Sequence, residues 1–147
     1  MEKKSYVVEK LDHDVYVIDE YSMNYMYIVV GSRRCLVIDT GTGTGDYKHV
    51  VDQITDGKPY DVVCTHCHVD HCGGIGQFDK IYIHPDDIAP IVVDNGRSGT
   101  ISVANRRRYS ARGFAVNPEG SLPFTLDSFQ EIDTSRIEFV GIREGYT

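Results

Sequence analysis

The chain has 147 residues, 41% of them hydrophobic and 25% charged, so we expect one globular domain over residues 1–147. Its net charge of −7 argues against nucleic acid or an anionic membrane surface as a partner. No run reaches the roughly 20 apolar residues of a membrane-spanning helix, and the N-terminus lacks a signal-peptide core, so we expect a cytoplasmic protein.

The first 40 residues predict four β-strands. These segments are rich in Val, Ile and Tyr, turn-forming residues separate them, and they lie at 7–11, 14–19, 25–31 and 35–39. A turn at 31–34 would make the last two strands a hairpin. The continuous apolar run at 35–38 is typical of a strand that is covered on both faces.

The next part of the chain alternates between helix and strand. Apolar residues recur at Tyr47, Val50, Val51 and Ile54, which predicts an amphipathic helix. Two further strands are predicted at 60–65 and 80–83, with a short helical turn at 73–78 between them. This alternation favours an α/β layered sheet, in which sites lie just past the C-terminal ends of strands.

The remainder of the chain gives a weaker pattern. Pro85 and the two aspartates after it can open a helix that Pro90 would limit. Residues 95–121 predict either a helix-containing excursion or a mobile loop. Segments 131–133 and 136–140 are interpreted as a final hairpin.

Four side chains of the kind that bind metal ions stand within six residues, namely His66, His68, Asp70 and His71. On an extended loop His66 and His68 point the same way and can share one ion. Asp70 and His71 diverge from that pair and can reach a second ion about 3.5–4 Å away. Imidazole and carboxylate together suit Zn²⁺, with Fe or Mn as alternatives. Asp39, which ends a strand, can accept a hydrogen bond from a ligand histidine.

Residues 65–74, with the sequence THCHVDHCGG, resemble the Thr-His-x-His-x-Asp-His-x-Gly-Gly signature of the metallo-β-lactamase superfamily. Residues 36–41 resemble that family's first motif, a strand ending in Asp-x-Gly, and residues 78–85 the strand after the metal loop. The resemblance implies an αββα sandwich, of which this chain carries the N-terminal half, a mixed sheet with helices. It also implies that His66 and His68 bind the first metal and Asp70 and His71 the second, with Asp70 as the catalytic residue.

The Asp-His pair is similar to that of the glyoxalase II-like and lactonase-like branches of the family. This similarity implies a hydrolase of a small-molecule ester, thioester or lactone that uses a metal-bridging hydroxide and two zinc ions per complete site. A flavodiiron oxygen reductase would usually carry Glu at the position of His68, so a diiron redox protein is the less favoured alternative.

The sequence departs from the family pattern after His71. It has no Pro-Gly-His motif and no assignable bridging aspartate, and the one later histidine, His84, is interpreted as structural. We therefore expect a domain truncated at its C-terminus that binds metal weakly by itself. Such a half-domain would expose an apolar sheet face and could self-associate. A non-catalytic metal-binding fragment is the second hypothesis.

Two further features have alternative interpretations. Cys67 and Cys72 flank the ligand residues, either as small residues that fill space or as a thiolate that replaces a missing ligand or responds to oxidation. The three arginines at 106–108, with Tyr109, could line a pocket for an anionic substrate. Because three successive residues cannot all face one site, a solvated surface is favoured for them.

Overall fold

The computed structural model describes residues 5–92, 99–117 and 120–143. Within these ranges seven strands form a single sheet whose spatial order follows the chain. The strands are β1 (Val7–Asp12), β2 (Val15–Glu20), β3 (Asn24–Val30), β4 (Cys35–Ile38), β5 (Tyr60–Val63), β6 (Lys80–Ile83) and β7 (Glu138–Gly141). Strands β1 to β4 are antiparallel neighbours, and β4 to β7 are parallel neighbours. This mixed sheet matches the predicted fold class.

Four α-helices lie in the same ranges, α1 (Tyr47–Thr55), α2 (Val69–Cys72), α3 (Ile88–Val92) and α4 (Val103–Val116). Helix α1 is the predicted amphipathic helix, with Tyr47 and Val51 fully buried. Its N-cap is Asp46, whose carboxylate accepts a hydrogen bond from the His49 N–H at 3.1 Å. None of the helices in the described ranges has the length and apolar character that crossing a membrane requires.

The weakly patterned segment folds mainly as helix. A 3₁₀ turn at Pro85–Asp87 leads into α3, which tolerates Pro90 because the first turn of a helix needs no N–H donor there. His84 caps this turn by accepting a hydrogen bond from the Asp86 N–H at 3.2 Å, which is a structural role. Helix α4 is the excursion predicted within 95–121; residues 95–98 and 118–119 lie outside the described ranges.

The predicted final hairpin is wrong. Residues 131–133 form no strand, and β7 lies parallel to β6, with Lys80 opposite Glu138. The Glu138 N–H donates to the Asp79 carbonyl at 2.9 Å, so β7 extends the parallel half of the sheet. Before β7 the chain forms a 3₁₀ turn at Thr134–Arg136 that Asp133 caps.

The helices and loops cover one face of the sheet and form the core with it. Its fully buried residues include Ile18, Met26, Ile28, Val37, Ile81 and Ile83 from strands, Val51 from α1 and Ile91 from α3. The opposite face carries one apolar residue from each of β2 to β7 in a continuous row, namely Val17, Tyr27, Ile38, Val63, Tyr82 and Val140. All six are half-buried or exposed, so this face is only partly covered within the described ranges.

Candidate functional site

The four predicted ligand residues lie just past the C-terminal end of β5, at the edge where the parallel strands end. His66 stands in a bend after the strand, and His68 is the N-cap residue of α2. Asp70 and His71 belong to α2 itself, a single helical turn. Chain direction in the parallel sheet therefore places all four on one side of the molecule.

The histidine rings lie closer together than the sequence predicts. The His66 ring centroid is 4.6 Å from that of His68 and 4.1 Å from that of His71. The expectation that Asp70 and His71 diverge from His66 and His68 assumed an extended loop. That assumption is wrong from Val69 onward, where helix α2 begins. Because α2 turns the chain, His71 comes back beside His66, and its Nε2 lies 3.2 Å from an Asp70 carboxylate oxygen.

Asp39 is the residue that connects these side chains. It follows β4 with a φ of +66°, a left-handed backbone conformation that costs free energy in a non-glycine residue. Its buried carboxylate accepts a hydrogen bond from the Thr65 N–H at 2.7 Å and lies 2.7 Å from His71 Nδ1. The hydrogen bond to Asp39 raises the pKa of His71 above its usual value. Several partners thus hold Asp39 in the strained conformation.

Thr65 extends this network to a second histidine, a role that the sequence analysis missed. The Thr65 hydroxyl lies 3.0 Å from an Asp39 carboxylate oxygen and 3.0 Å from His66 Nδ1. A hydroxyl that donates to Asp39 can still accept from a ring N–H. When His66 and His71 both carry their proton on Nδ1, one carboxylate orients both rings and leaves both Nε2 atoms as electron-pair donors. The only sequence signal for this role is that Thr65 precedes His66.

A second loop holds the ligand segment by its backbone. The Thr40 N–H donates to the His71 carbonyl at 2.8 Å, and the Gly74 N–H donates to the Gly41 carbonyl at 3.0 Å. At Gly74 a Cβ atom would collide with the Thr40 carbonyl oxygen, and at Gly73 it would lie 2.7 Å from that of Thr42. The Gly-Gly pair is therefore required by close packing of two backbones.

Two residues outside the predicted cluster contact Asp70. The Asn24 side-chain amide donates to the Asp70 carbonyl oxygen at 2.9 Å. Tyr109, from α4, donates to the Met23 carbonyl at 3.2 Å and lies beside the Asp70 carboxylate. Burial, and then the Asp70 charge, raises the pKa of Tyr109. Asn24 and Tyr109 lie 46 and 39 residues from Asp70 in the chain, so no local sequence pattern indicated either contact.

The cysteines near the ligands are packed as neutral thiols. Cys72 is fully buried, and its Sγ lies 3.0 Å from the Cys67 carbonyl oxygen. Burial raises the pKa of both the Cys72 and the Cys67 thiols, which disfavours a thiolate. The space-filling interpretation is therefore the better supported one. Cys35, Cys64, Cys67 and Cys72 are all free thiols.

The solvated-surface interpretation of the three arginines is wrong for Arg106. Its side chain is 4% exposed, and its guanidinium donates to the Ile101 carbonyl at 2.9 Å and to the Gln130 carbonyl. It also lies over the Phe129 ring and lines a cavity of about 390 Å³ with Arg136. Arg107 and Arg108 are exposed, so only one of the three successive residues faces inward.

The donor set of His66, His68, Asp70 and His71 fits a metal ion in its chemistry but not in its arrangement. In the described ranges no three His, Cys, Asp or Glu side chains converge in an arrangement that would hold one. The chemistry of the donors nevertheless fits zinc, since three imidazoles and a carboxylate lie together and the network through Asp39 leaves Nε2 available on two of them. The described residues thus supply suitable donors but not a closed coordination site.

Comparison with known proteins places this chain in a family. A family model described as the metallo-beta-lactamase superfamily matches residues 21–140. Acyl-coenzyme A thioesterase MBLAC2 of Gallus gallus is 30% identical over 108 residues, which cover 63% of this chain and 39% of that protein. Hydroxyacylglutathione hydrolase of Nitrosomonas eutropha is 36% identical over 72 residues, covering 49% of this chain and 28% of that protein.

Solved structures agree with the fold. The crystal structure of DIM-1 metallo-beta-lactamase superposes with a TM-score of 0.54 at 20% identity, covering 63% of this chain and 48% of that chain. That of TMB-1 gives a TM-score of 0.55 at 20% identity, covering 67% and 52%. The chain spans about two fifths of the thioesterase's length and about half of these structures. It corresponds to a partial domain of this fold.

Proposed function

This chain belongs to the metallo-β-lactamase superfamily, and on that premise we propose that it is part of a metal-dependent hydrolase of thioesters. Its similarity to an acyl-coenzyme A thioesterase and a hydroxyacylglutathione hydrolase favours an acyl thioester among the esters, thioesters and lactones that the sequence suggests. The observation that carries the proposal is the network in which Asp39 orients His71 directly and His66 through Thr65.

Zinc is the metal we propose, held by His66, His68, Asp70 and His71. When bound, zinc polarises a carbonyl group and lowers the pKa of water. Asp39 keeps the His71 ring oriented by its hydrogen bond to Nδ1, which leaves Nε2 as the atom that would hold the ion. If His71 Nε2 held the ion, its 3.2 Å contact with the Asp70 carboxylate would be lost, and that carboxylate would be available as a further ligand.

In the proposed reaction the oxygen of water forms a bond to the thioester carbonyl carbon, and the carbon–sulfur bond breaks. The acyl group leaves as a carboxylic acid and the sulfur leaves as a thiol, so one water is consumed and no redox partner is needed. Asp70 is half-buried beside the three histidines, and we assign it the uptake of the proton that water loses. Tyr109 lies beside Asp70 and restricts its carboxylate on the side of α4.

The proposal includes a small-molecule substrate, a reducing cellular location and self-association. The four free thiols suit the cytoplasm. The apolar row on the less covered face of the sheet supports self-association, because a contiguous apolar patch on a protein surface often marks a protein–protein contact.

The direct test is hydrolysis of an acyl-coenzyme A, followed through the absorbance of its thioester bond, as zinc is added to the chain. Hydrolysis should rise with zinc, stop with a chelator, and fall more than about 100-fold in His71→Ala. His84→Ala is the matched control and should retain the rate, since His84 caps a 3₁₀ turn. Hydrolysis that persists in His71→Ala would contradict the assigned site.

A second candidate function is a metal-binding fragment that is not catalytic. It is supported by the donor side chains of His66, His68, Asp70 and His71, which lie together but form no closed coordination site within the described ranges. Zinc binding that depends on His71, without any thioester hydrolysis, would support this candidate over the hydrolase. Tightly bound iron with a reversible absorbance change on reduction would instead support the diiron alternative.

A further inference from the structure

A carboxylate that the proposed reaction does not use lies entirely inside the protein. Glu20, the last residue of β2, is 0% exposed. Its oxygens accept hydrogen bonds from the Thr42 N–H at 2.9 Å, from the Thr42 hydroxyl at 2.9 Å and from the Thr44 hydroxyl at 3.4 Å. A buried carboxylate is costly unless it is well paired, so a function for this group is expected.

The donors to Glu20 belong to the loop that holds the ligand segment. Thr42 and Thr44 stand in the same loop as Gly41, whose carbonyl accepts from the Gly74 N–H. Gly41 also lies so close to Glu20 that a Cβ atom there would lie 2.9 Å from the carboxyl carbon. Glu20 therefore holds this loop in position, and the loop in turn holds Gly74 through the Gly41 carbonyl.

A second connection runs from Glu20 through Asn24. The two residues are direct cross-strand partners in β2 and β3, and the Asn24 amide donates to the Glu20 carboxylate. The same amide group donates to the Asp70 carbonyl oxygen at 2.9 Å. The Asn24 side chain therefore contacts both the buried carboxylate and the segment that carries the proposed ligands.

We propose that Glu20 is a positioning residue that holds the segment from Asp70 to Gly74 in place through Asn24 and through the loop at Thr42. This inference rests on the proposed function, because the segment that Glu20 holds is the one assigned to zinc binding. The hydrogen bonds of Glu20 with Thr42 and Thr44 form without any metal.

The charge state of Glu20 gives the proposal a pH signature. Burial raises the pKa of Glu20 from 4.5 to about 7. The ionisable groups that interact with it are Tyr6, Tyr21, Tyr47 and Tyr109, which are all uncharged near neutral pH. An ionised Glu20 accepts from all its donors at once, whereas the protonated acid has one oxygen that must itself donate.

The test is amide hydrogen exchange of the metal-free chain, with Glu20→Gln as the variant. Glutamine keeps the shape but turns an amide N–H toward donors. At about pH 8 the protection of the Thr40 and Gly74 amides should fall about tenfold in the variant. At about pH 5.5 the difference should vanish, since wild-type Glu20 is then protonated. Core amides of β3 should keep or increase their protection, because the variant removes a buried charge.

The matched control is Glu9→Gln, which removes the same charge from the exposed strand β1 and should change none of these amides. Equal protection of Gly74 in wild type and Glu20→Gln at about pH 8, or a uniform loss over the whole chain, would overturn the proposal. If Glu20→Gln does not fold, Asn24→Ala decides instead, because it removes the Asn24 connection between Glu20 and Asp70 and leaves the hydrogen bonds from Thr42 to Glu20 in place. Unchanged protection across residues 70–74 in that variant would overturn it equally.

Zinc titration separates this inference from the proposed function. If the function holds, Glu20→Gln should weaken zinc binding about tenfold at about pH 8. If neither protein binds zinc, the proposed function fails, while the exchange data still decide the role of Glu20.

Discussion

At the scale of single residues, Asp39 has the largest influence on the site because one carboxylate contacts both Thr65 and His71. Its positive φ costs aspartate and asparagine less free energy than other non-glycine residues, because their short polar side chains bond locally. Asp39→Asn therefore keeps the backbone and the shape of the side chain while removing the charge, which isolates the electrostatic contribution.

We predict that Asp39→Asn lowers the pKa of His71 toward 6.5, because the raised pKa comes mainly from the hydrogen bond to this carboxylate. In wild type the pair stabilises the metal-free fold fully below about pH 6.5, and this contribution is lost as pH rises through the raised pKa. NMR titration of the His71 ring measures the shift. Asp61→Asn, which removes a carboxylate paired with Arg34, is the control and should leave His71 unchanged.

Sequence patterns identify the residues of the cluster but not the ones that support it. His66, His68, Asp70 and His71 stand together in the chain, and Asp39 ends a recognisable strand. Glu20 and Asn24 reach the same segment across 46 to 50 residues of chain, through cross-strand pairing that no local pattern encodes. Their roles follow only from the register of the sheet.

At the scale of secondary-structure elements, the close approach of two loops decides how α2 is placed. Strand β4 leads into the loop with Thr40, and α2 leads into Gly73 and Gly74, so their backbones are in direct contact. Gly74 has an ordinary φ of −96°, so space and not backbone conformation requires the glycine.

Gly74→Ala should lower the free energy of unfolding by about 1–3 kcal/mol, because the added methyl group meets the rigid Thr40 backbone. Urea denaturation measures the loss. In the control, Gly76→Ala, the nearest atoms are side-chain atoms of Ile132 at 3.2 Å, which can move, so a smaller change is expected. Equal destabilisation by both substitutions would show that the loop contact has no special role.

Element types were easier to predict than element partners. The strands up to β6 and helix α1 were predicted from periodicity to within one or two residues at most ends. The segment at 136–140 has a strand pattern too, but that pattern does not specify its neighbour. The segment pairs with β6 and not with residues 131–133. Hydrogen bonds from Glu138 to Asp79 and from Ile142 to Ile83 add it to the existing parallel edge of the sheet.

At the scale of the whole molecule, the less covered face of the sheet is the dominant feature. Its apolar row crosses six strands, and the neighbouring Leu36 on β4 is 39% exposed. Sequence alternation predicts which residues share a face. It does not show what covers that face, because alternation within a strand carries no information about the surface that packs against it.

Leu36→Lys should weaken self-association of the chain, since burying an ammonium group against the apolar row is costly. Sedimentation velocity over a range of concentrations measures the association. Val116→Lys is the matched control, because Val116 is 65% exposed on α4, and it should associate like wild type. A chain that stays monomeric at every concentration would contradict the expectation of self-association.

The zinc site proposed for the histidines and Asp70 of the segment after β5 is the basis of the hydrolase function. X-ray absorption of the zinc-loaded chain tests it most directly, because it reports which atoms contact the metal. We predict imidazole nitrogen neighbours at about 2.0–2.1 Å, with a reduced signal in His71→Ala. Sulfur neighbours at about 2.3 Å, supplied by Cys67 or Cys72, would contradict the assignment.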